Sequence, residues 1–559
     1  MNLESNANES ATVSETGTEP NSNEKISFIE KVGYGLGDTA SNFYWKFFEF
    51  FLMFFYTDVF GISAKSAGTM LLVSRIWDAV NDPLVGYLAD RTKTSWGRFR
   101  PFLVWMCVPF AITGVLTFYT PDLSESGKLV YAYVTYTLVM MVYTAINIPY
   151  GALMGVISAD SAERTSVSTY RFVLAFFGGL IVQYFTLDLV GFFGGTEKII
   201  VDGEEKITVI NQQAGYFYTM VVFSIAAMFL FIVTFLTTKE RVEPVAALES
   251  TPRADLKFIL TSIKLHQIAL LGLGFLVALP IGINQNLLWV LGGYIALSIV
   301  MFIVRSVTMQ RMSNTTNAST FEQDFNDLTS NRPWLILFAF GMFQLMGAFI
   351  RGGAILFYFK YFVGDESYAP AFWISGSIAA IVGMLLTRKL TDLFGKRLLM
   401  IMMNFGTALC TVAFIFLGPE QTKLMYAFNI LGSFISGPSP VLLWAMYADV
   451  ADYSEWKNHR RATGLVFSAA TFSQKLGCAL GSFMTGLFLD FYQYQPPTDG
   501  SEASQSDITL NGLKMMMSVI PATCLIVAAI CLVFYNIDKQ LMETIKVELE
   551  DRKNATPPS

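Results

Sequence analysis

The sequence predicts an all-α membrane protein, two six-helix bundles with an inserted helix pair between them, twelve helices plus two. Three observations predict it. Of 559 residues, 53% are hydrophobic and only 15% are charged, against about 25% charged in an ordinary soluble domain, and the mean hydropathy is +0.47. A chain this long and apolar cannot place its apolar side chains in one water-surrounded core, so lipid must solvate much of it. Apolar stretches of the ~20 residues that a membrane span needs recur along the chain. They also fall into two sets of six, each with a basic loop after its second member.

In chain order, residues 1–25 are polar and acidic, without the apolar core of a cleavable signal peptide, and read as a disordered tail. Six spans follow near 32–58, 65–89, 101–120, 129–153, 168–193 and 215–237 and make an N-terminal bundle over 26–240. A linker over 241–330 contains two shorter apolar stretches, 268–283 and 287–306, joined by Asn284-Gln285-Asn286. They are expected to cross the membrane as a hairpin, the alternative being a re-entrant or interfacial element. Six more spans near 334–362, 371–388, 397–418, 422–448, 463–491 and 512–536 make a C-terminal bundle over 331–540, and 541–559 is a second polar tail.

Lys and Arg set the orientation. Alternate short loops hold Arg91, Lys93, Arg98 and Arg100, then Arg164, then Lys239 and Arg241, later Arg388, Lys389, Lys396 and Arg397, and Lys457, Arg460 and Arg461. The other loops hold mostly single lysines. The basic set is therefore expected in the cytoplasm, with both termini, in a multi-pass protein of the inner (cytoplasmic) membrane. Asp90-Arg91-x5-Gly97-Arg98 in the first half is echoed by Asp392-Leu393-Phe394-Gly395-Lys396-Arg397 in the second. Six plus six with equivalent basic loops is the layout of the major facilitator fold.

Composition also excludes. A net charge of −6 does not suggest nucleic acid. Cys107, Cys410, Cys478, Cys524 and Cys531 all lie in apolar runs without metal-ligand spacing and read as small packing residues. His266 and His459 are the only histidines. No nucleophile–base set or phosphate loop is visible, so an enzyme is not expected. No cofactor and no partner beyond a small solute and the bilayer is implied, and a monomer is expected.

Charges inside lipid are costly and usually face a water-filled cavity or one another. In the first span Asp38, Asn42, Lys46 and Glu49 fall within an arc of roughly 80°, a polar stripe on a helix otherwise Phe, Tyr, Trp and Leu. It reads as a cavity wall that hydrogen-bonds a polar solute, or as a Lys46–Glu49 pair that only fixes packing. The second span carries Arg75, Asp78, Asn81 and Asp82. Asp78 and Asp82 are i, i+4 and share a face; two carboxylates in low dielectric need a cation, a proton or Arg75 between them. Hard oxygens suit Na⁺ and a raised pKa suits H⁺, so Asp78 and Asp82, with Asn81, are the expected cation site. The fourth span adds Thr144 and Asn147 at i, i+3, the fifth Arg171, and later spans Arg351, Trp444 and Lys475. Lys475 reads as a substrate contact or as a structural counter-ion to a carboxylate.

Several segments resemble the glycoside-pentoside-hexuronide:cation symporter family, of which melibiose permease is the best-known member. They are Tyr34-Gly35-x-Gly37, Tyr56-Thr57-Asp58-Val59, Arg75-Ile76-Trp77-Asp78-Ala79-Val80-Asn81-Asp82-Pro83, Trp96-Gly97-Arg98-Phe99-Arg100-Pro101, Asn147-Ile148-Pro149-Tyr150, Asn331-Arg332-Pro333-Trp334, Arg351-Gly352-Gly353 and Ala448-Asp449-x-x-Asp452-Tyr453. The resemblance covers roughly 28–245 and 325–540. It implies alternating access without chemistry on the solute, with Asp78, Asp82 and Thr144 at the coupling cation, Na⁺ or H⁺. It implies sugar contacts at the positions of Asn42, Asn147 and Arg171, and it places Lys475 at the family's lysine in helix eleven. Arg91, Arg98 and Arg100 would form gating contacts in the inward-closed state.

The chain departs from that pattern. Where melibiose permease has carboxylates in helices one and four, Asn42 and Asn147 are amides. The pair at 268–306 and a longer outer loop near 194–214 are also unusual. With Lys46, Arg171 and Arg351 in the spans, the substrate site over Asn42, Lys46, Asn147, Arg171, Arg351, Trp444 and Lys475 is expected to favour an acidic sugar such as a uronide, a neutral glycoside being the close alternative. Lysolipid transport, drug/proton exchange and a transporter-derived sensor are the competing readings.

Overall fold

The computed structural model describes residues 25–92, 94–158, 160–201, 204–241, 330–458, 463–497 and 504–555. The apolar pair at 268–306 lies outside the described residues, as does most of the 1–25 tail.

The first six spans are helices α1 (Phe28–Phe54), α2 (Ala64–Arg91), α3 (Arg100–Thr117), α4 (Glu125–Val156), α5 (Ser161–Gly194) and α6 (Gln212–Thr237). The second six are α7 (Arg332–Phe357), α8 (Tyr368–Leu385), α10 (Lys396–Val412), α11 with α12 (Thr422–Ser436, Ser439–Asn458), α13 (Thr463–Phe491) and α14 with α15 (Asp507–Met517, Val519–Val533). A short α9 (Thr387–Phe394) precedes α10, and α16 (Lys539–Ala555) ends the chain. Two spans are thus broken, one before Pro438 and one at Ser518. Helix starts follow local chemistry. Ser27, Ser63, Ser124, Asn211, Asn331 and Ser506 each accept a backbone N–H from three residues on, satisfying a donor the helix leaves unpaired. Nine described helical segments are long and apolar enough to cross a membrane. The three other long helices, α1, α2 and α13, carry Asp38, Lys46 and Glu49, then Arg75, Asp78 and Asp82, and then Lys475.

Helices one and seven, the first of each bundle, both end in a π-helical turn, Phe55–Val59 and Tyr358–Val363. The basic loops are equivalent too. Arg100 Nη2 donates to the carbonyl of Phe235 near the end of α6 at 2.7 Å, and Arg397 donates to the carbonyls of Leu532 and Val533 at the end of α15. In each half an arginine from the loop after the second span closes the C-terminus of the sixth, where carbonyls lack helical partners.

Two segments differ from expectation. The outer loop forms an antiparallel hairpin, β1 (Thr196–Val201) with β2 (Glu204–Val209), in register Thr196↔Val209 to Val201↔Glu204. The polar tail after 540 is largely helix α16. Met542, Ile545 and Leu549 bury in the core of the C-terminal bundle, and Trp456 Nε1 donates to Glu548 at 2.6 Å.

Among the described residues, the apolar core of the N-terminal bundle crosses into the C-terminal bundle at the end opposite the basic loops, through Ile350, residues 354–359, Phe372, Trp373, Phe414 and Met517. Towards the basic end the C-terminal bundle has its own core, around Trp334, Leu337, Phe340, Leu442 and Met446. The two halves are therefore packed together at one end.

Candidate functional site

Helix α2 brings Asp78 and Asp82 to one face, and α4 brings Thr144 against them. Thr144 Oγ1 lies 2.6 Å from Asp78 Oδ1 and 3.2 Å from Asp82 Oδ1. A hydroxyl has one proton, so it donates to only one of these oxygens. The other approach sets lone pair against lone pair and needs positive charge nearby. Lys475, on α13 of the opposite bundle, supplies it. Its Nζ is 3.2 Å from Asp78 Oδ2 and hydrogen-bonded to Asp82 Oδ2. Asp78 is 1% exposed, and Asp82 keeps 26% of its side chain accessible. Lys475 therefore stands beside the carboxylates of the expected cation site.

Arg75 does not take that role. Its guanidinium lies over the Trp45 ring at 4.5 Å, and its Nη1 is buried without a hydrogen-bond partner. The side chains of Asn81 and Arg91 lie outside the described residues.

One turn along α4 from Thr144 is half-buried Asn147, and one turn further is Tyr150. Tyr150 stacks on Tyr34 of α1 at 4.6 Å, and each hydroxyl donates to the other residue's carbonyl. The α1–α5 contact requires glycine: a Cβ at Gly35 would stand 2.7 Å from Leu174 Cδ1 and one at Gly178 3.0 Å from the Thr39 carbonyl. This close approach lets Arg171 Nε of α5 reach Asp38 Oδ2 of α1 at 2.8 Å, with its guanidinium 5.2 Å from the Tyr150 ring. Asn42 turns its amide back to the Asp38 carbonyl at 2.8 Å. Lys46, a turn beyond, pairs with Glu49 at 2.6 Å.

The expectation of an acidic solute rested on amides at Asn42 and Asn147 together with the cations Lys46, Arg171 and Arg351, and two of those three cations have carboxylate partners. Lys46 is paired with Glu49 and Arg171 with Asp38. Arg351 lies inside the C-terminal bundle, 5.0 Å from the Phe414 ring and 3.3 Å from Asn429 Oδ1. Trp444 packs against the core of that bundle, 6.0 Å from the Tyr447 ring. So α1, α2, α4, α5 and α13 bring together Asp38, Asn42, Lys46, Asp78, Asp82, Thr144, Asn147, Arg171 and Lys475, while Arg351 and Trp444 belong to the other bundle's interior. Asp38 was visible in the polar stripe, but the family pattern drew attention to Asn42 one turn away.

The basic loop is anchored within its own half. The backbone N–H groups of Arg98, Phe99 and Arg100 all donate to the Glu240 carboxylate at 2.8–2.9 Å. Arg241 makes a two-pronged pair with Glu30 at 2.7 and 2.8 Å. Neither Glu240 nor Glu30 stands out in the sequence, because each acts across about 140 residues or more of chain.

Two bundles that meet over a carboxylate–lysine cluster, within helices otherwise apolar, define a polytopic membrane transporter of the major facilitator fold. The profile of one family, described as "MFS/sugar transport protein", matches residues 33–288 and 268–539. The chain is 34% identical to the putative glycoside/cation symporter YagG of Escherichia coli, over 94% of this chain and 95% of that protein. It is 30% identical to the isoprimeverose transporter of Lactiplantibacillus pentosus, over 92% and 90%. A solved D-xylose–proton symporter superposes with a TM-score of 0.51 at 13% identity, covering 91% of this chain and 96% of that one, a likeness of fold alone. The chain belongs to the MFS/sugar transport protein family and, within it, to the glycoside-pentoside-hexuronide:cation symporters.

Proposed function

We propose that this sugar symporter imports a neutral glycoside, coupled to a monovalent cation that displaces Lys475 from Asp78 and Asp82. The observation that carries the reading is Lys475 itself, a lysine from one bundle held between two carboxylates of the other. An ammonium there does what a coupling cation would do, and it ties the two halves together. Thr144 adds a neutral oxygen to the carboxylate oxygens, a hard donor set that suits Na⁺; H⁺ on Asp82 is the alternative. Cation binding releases α13 from α2, and sugar affinity and cation affinity then rise together by linkage. The route between the two sites is α4, which sets Thr144 at the cation, Asn147 in the middle and Tyr150 at the Arg171 side chain.

The pairing of Lys46 and Arg171 favours a neutral glycoside over a uronide. The basic loops favour an orientation with that end and both termini in the cytoplasm, in an inner membrane. Uptake into proteoliposomes tests this, with a panel of neutral glycosides and uronides and imposed Na⁺ or H⁺ gradients. Accumulation of a neutral glycoside under one gradient is expected. Accumulation of uronides alone contradicts the substrate reading, and equal uptake with and without both gradients contradicts coupling.

A further inference from the structure

Asp38 carries more of the site than its place beside Asn42 suggests. Its Oδ2 accepts from Arg171 Nε, while its Oδ1 and the two terminal nitrogens of Arg171 make no hydrogen bond among the described residues. Both side chains are partly accessible, 13% for Asp38 and 27% for Arg171. The pair is held from behind: Tyr150 lies against the guanidinium, and Thr39, next to Asp38, donates to the Leu174 carbonyl of α5 at 2.9 Å. The result is a fixed, net-neutral fork with one free acceptor oxygen and two free donor nitrogens.

We propose that Asp38 is the residue that sets charge selectivity in the sugar site, making Arg171 a ligand for hydroxyl groups and closing it to carboxylates. This rests on the neutral-glycoside reading and goes beyond it. A sugar hydroxyl both donates and accepts, so it satisfies the free Asp38 oxygen and an Arg171 nitrogen together. The carboxylate of a uronate only accepts. To fork onto Arg171 it must approach Asp38, so two carboxylates would share one guanidinium, a repulsive arrangement in a low-dielectric site. Removing the charge of Asp38 leaves Arg171 unopposed, the state in which arginine binds carboxylates best. Neutral specificity is thereby set by exclusion as much as by attraction. It comes from a carboxylate one helical turn from the position that the family's pattern highlights.

The test is competitive uptake with Asp38→Asn, which keeps the size of the side chain and an acceptor for Arg171. The probes are methyl xyloside, methyl glucoside and methyl galactoside, with the uronides that differ from the last two only at C6. The wild type is expected to prefer the neutral members, and Asp38→Asn to shift the uronide-to-neutral ratio by about ten- to hundredfold towards the uronides. Asp38→Asn/Arg171→Gln, which leaves no unpaired charge, should lose that shift. Binding to purified protein by calorimetry gives the same ratio if either variant transports poorly. An unchanged ratio in Asp38→Asn, with the wild type moving neutral glycosides, overturns this inference alone. A wild type that prefers uronides overturns it together with the substrate reading.

Discussion

In the proposed mechanism Lys475 and the coupling cation compete for the same oxygens, so the two ought to be interchangeable. Lys475→Gln keeps most of the side chain but removes its charge. It is expected to tighten cation binding at Asp78 and Asp82 about tenfold or more, roughly 1.4 kcal/mol, while turnover falls, because the cation then lacks a replacement when it leaves. Cation titration followed by calorimetry or thermal shift checks this. Weaker cation binding would mean that Lys475 positions the carboxylates instead of competing. At this scale the sequence was informative about what shares a helix face and uninformative about what meets across helices. Spacing put Asp78 with Asp82 and Thr144 with Asn147. It offered no way to choose between Arg75 and Lys475 as the group beside the aspartates, since that choice is made by packing between bundles. The same limit hid Asp38 as the partner of Arg171.

Helices and loops repeat between the halves more faithfully than their sequences do. Arg100 and Arg397 close the ends of α6 and α15 as charged donors to part-buried or exposed carbonyls, where solvent brings the contribution below the ~1.5–3 kcal/mol of a charged hydrogen bond. Arg100→Ala and Arg397→Ala should each lower the unfolding temperature of detergent-solubilised protein; Arg98→Ala, whose backbone alone meets Glu240, should change it less. The duplicated basic loop was legible from Gly-Arg and Gly-Lys-Arg. The hairpin was not expected although Glu-Lys-Ile-Ile-Val and Glu-Glu-Lys-Ile-Thr-Val flank an Asp-Gly, a strong hairpin signal, because its strands are short and charged and lie in a loop between two spans. Helix α16 was missed because its apolar positions, Met542, Ile545 and Leu549, are sparse among charges. Truncation before Lys539 is expected to destabilise the C-terminal bundle by exposing the surface they cover, measured again as a lower unfolding temperature. An unchanged unfolding temperature would mean that α16 adds nothing to that core.

For the molecule as a whole, the closed end is built from both first spans. The π-turn after α1 presents Asp58, which accepts hydrogen bonds from Tyr361 of the π-turn after α7 and, at 2.6 Å, from Tyr494 after α13. Nearby, Ser377 of α8 donates to Gln183 of α5 at 3.0 Å. A Cβ at Gly486 would lie 2.2 Å from the carbonyl of Ala64. Closure here depends on small residues as well as on the Asp58 cluster. Gly486→Val should prop this end open, so that a cysteine introduced at Ser377 reacts faster with a membrane-impermeant thiol reagent; unchanged labelling would show that the contact is not part of the gate. In the proposed mechanism, alternating access parts this end when the other closes, and Lys475 leaving Asp78 and Asp82 frees the halves to do so. The most direct measurement is uptake of a labelled neutral glycoside into proteoliposomes under an imposed cation gradient, comparing wild type with Asp78→Asn. The account predicts gradient-driven accumulation by the wild type, and in the variant loss of accumulation with sugar exchange at equal concentrations retained. Undiminished accumulation by Asp78→Asn would contradict it.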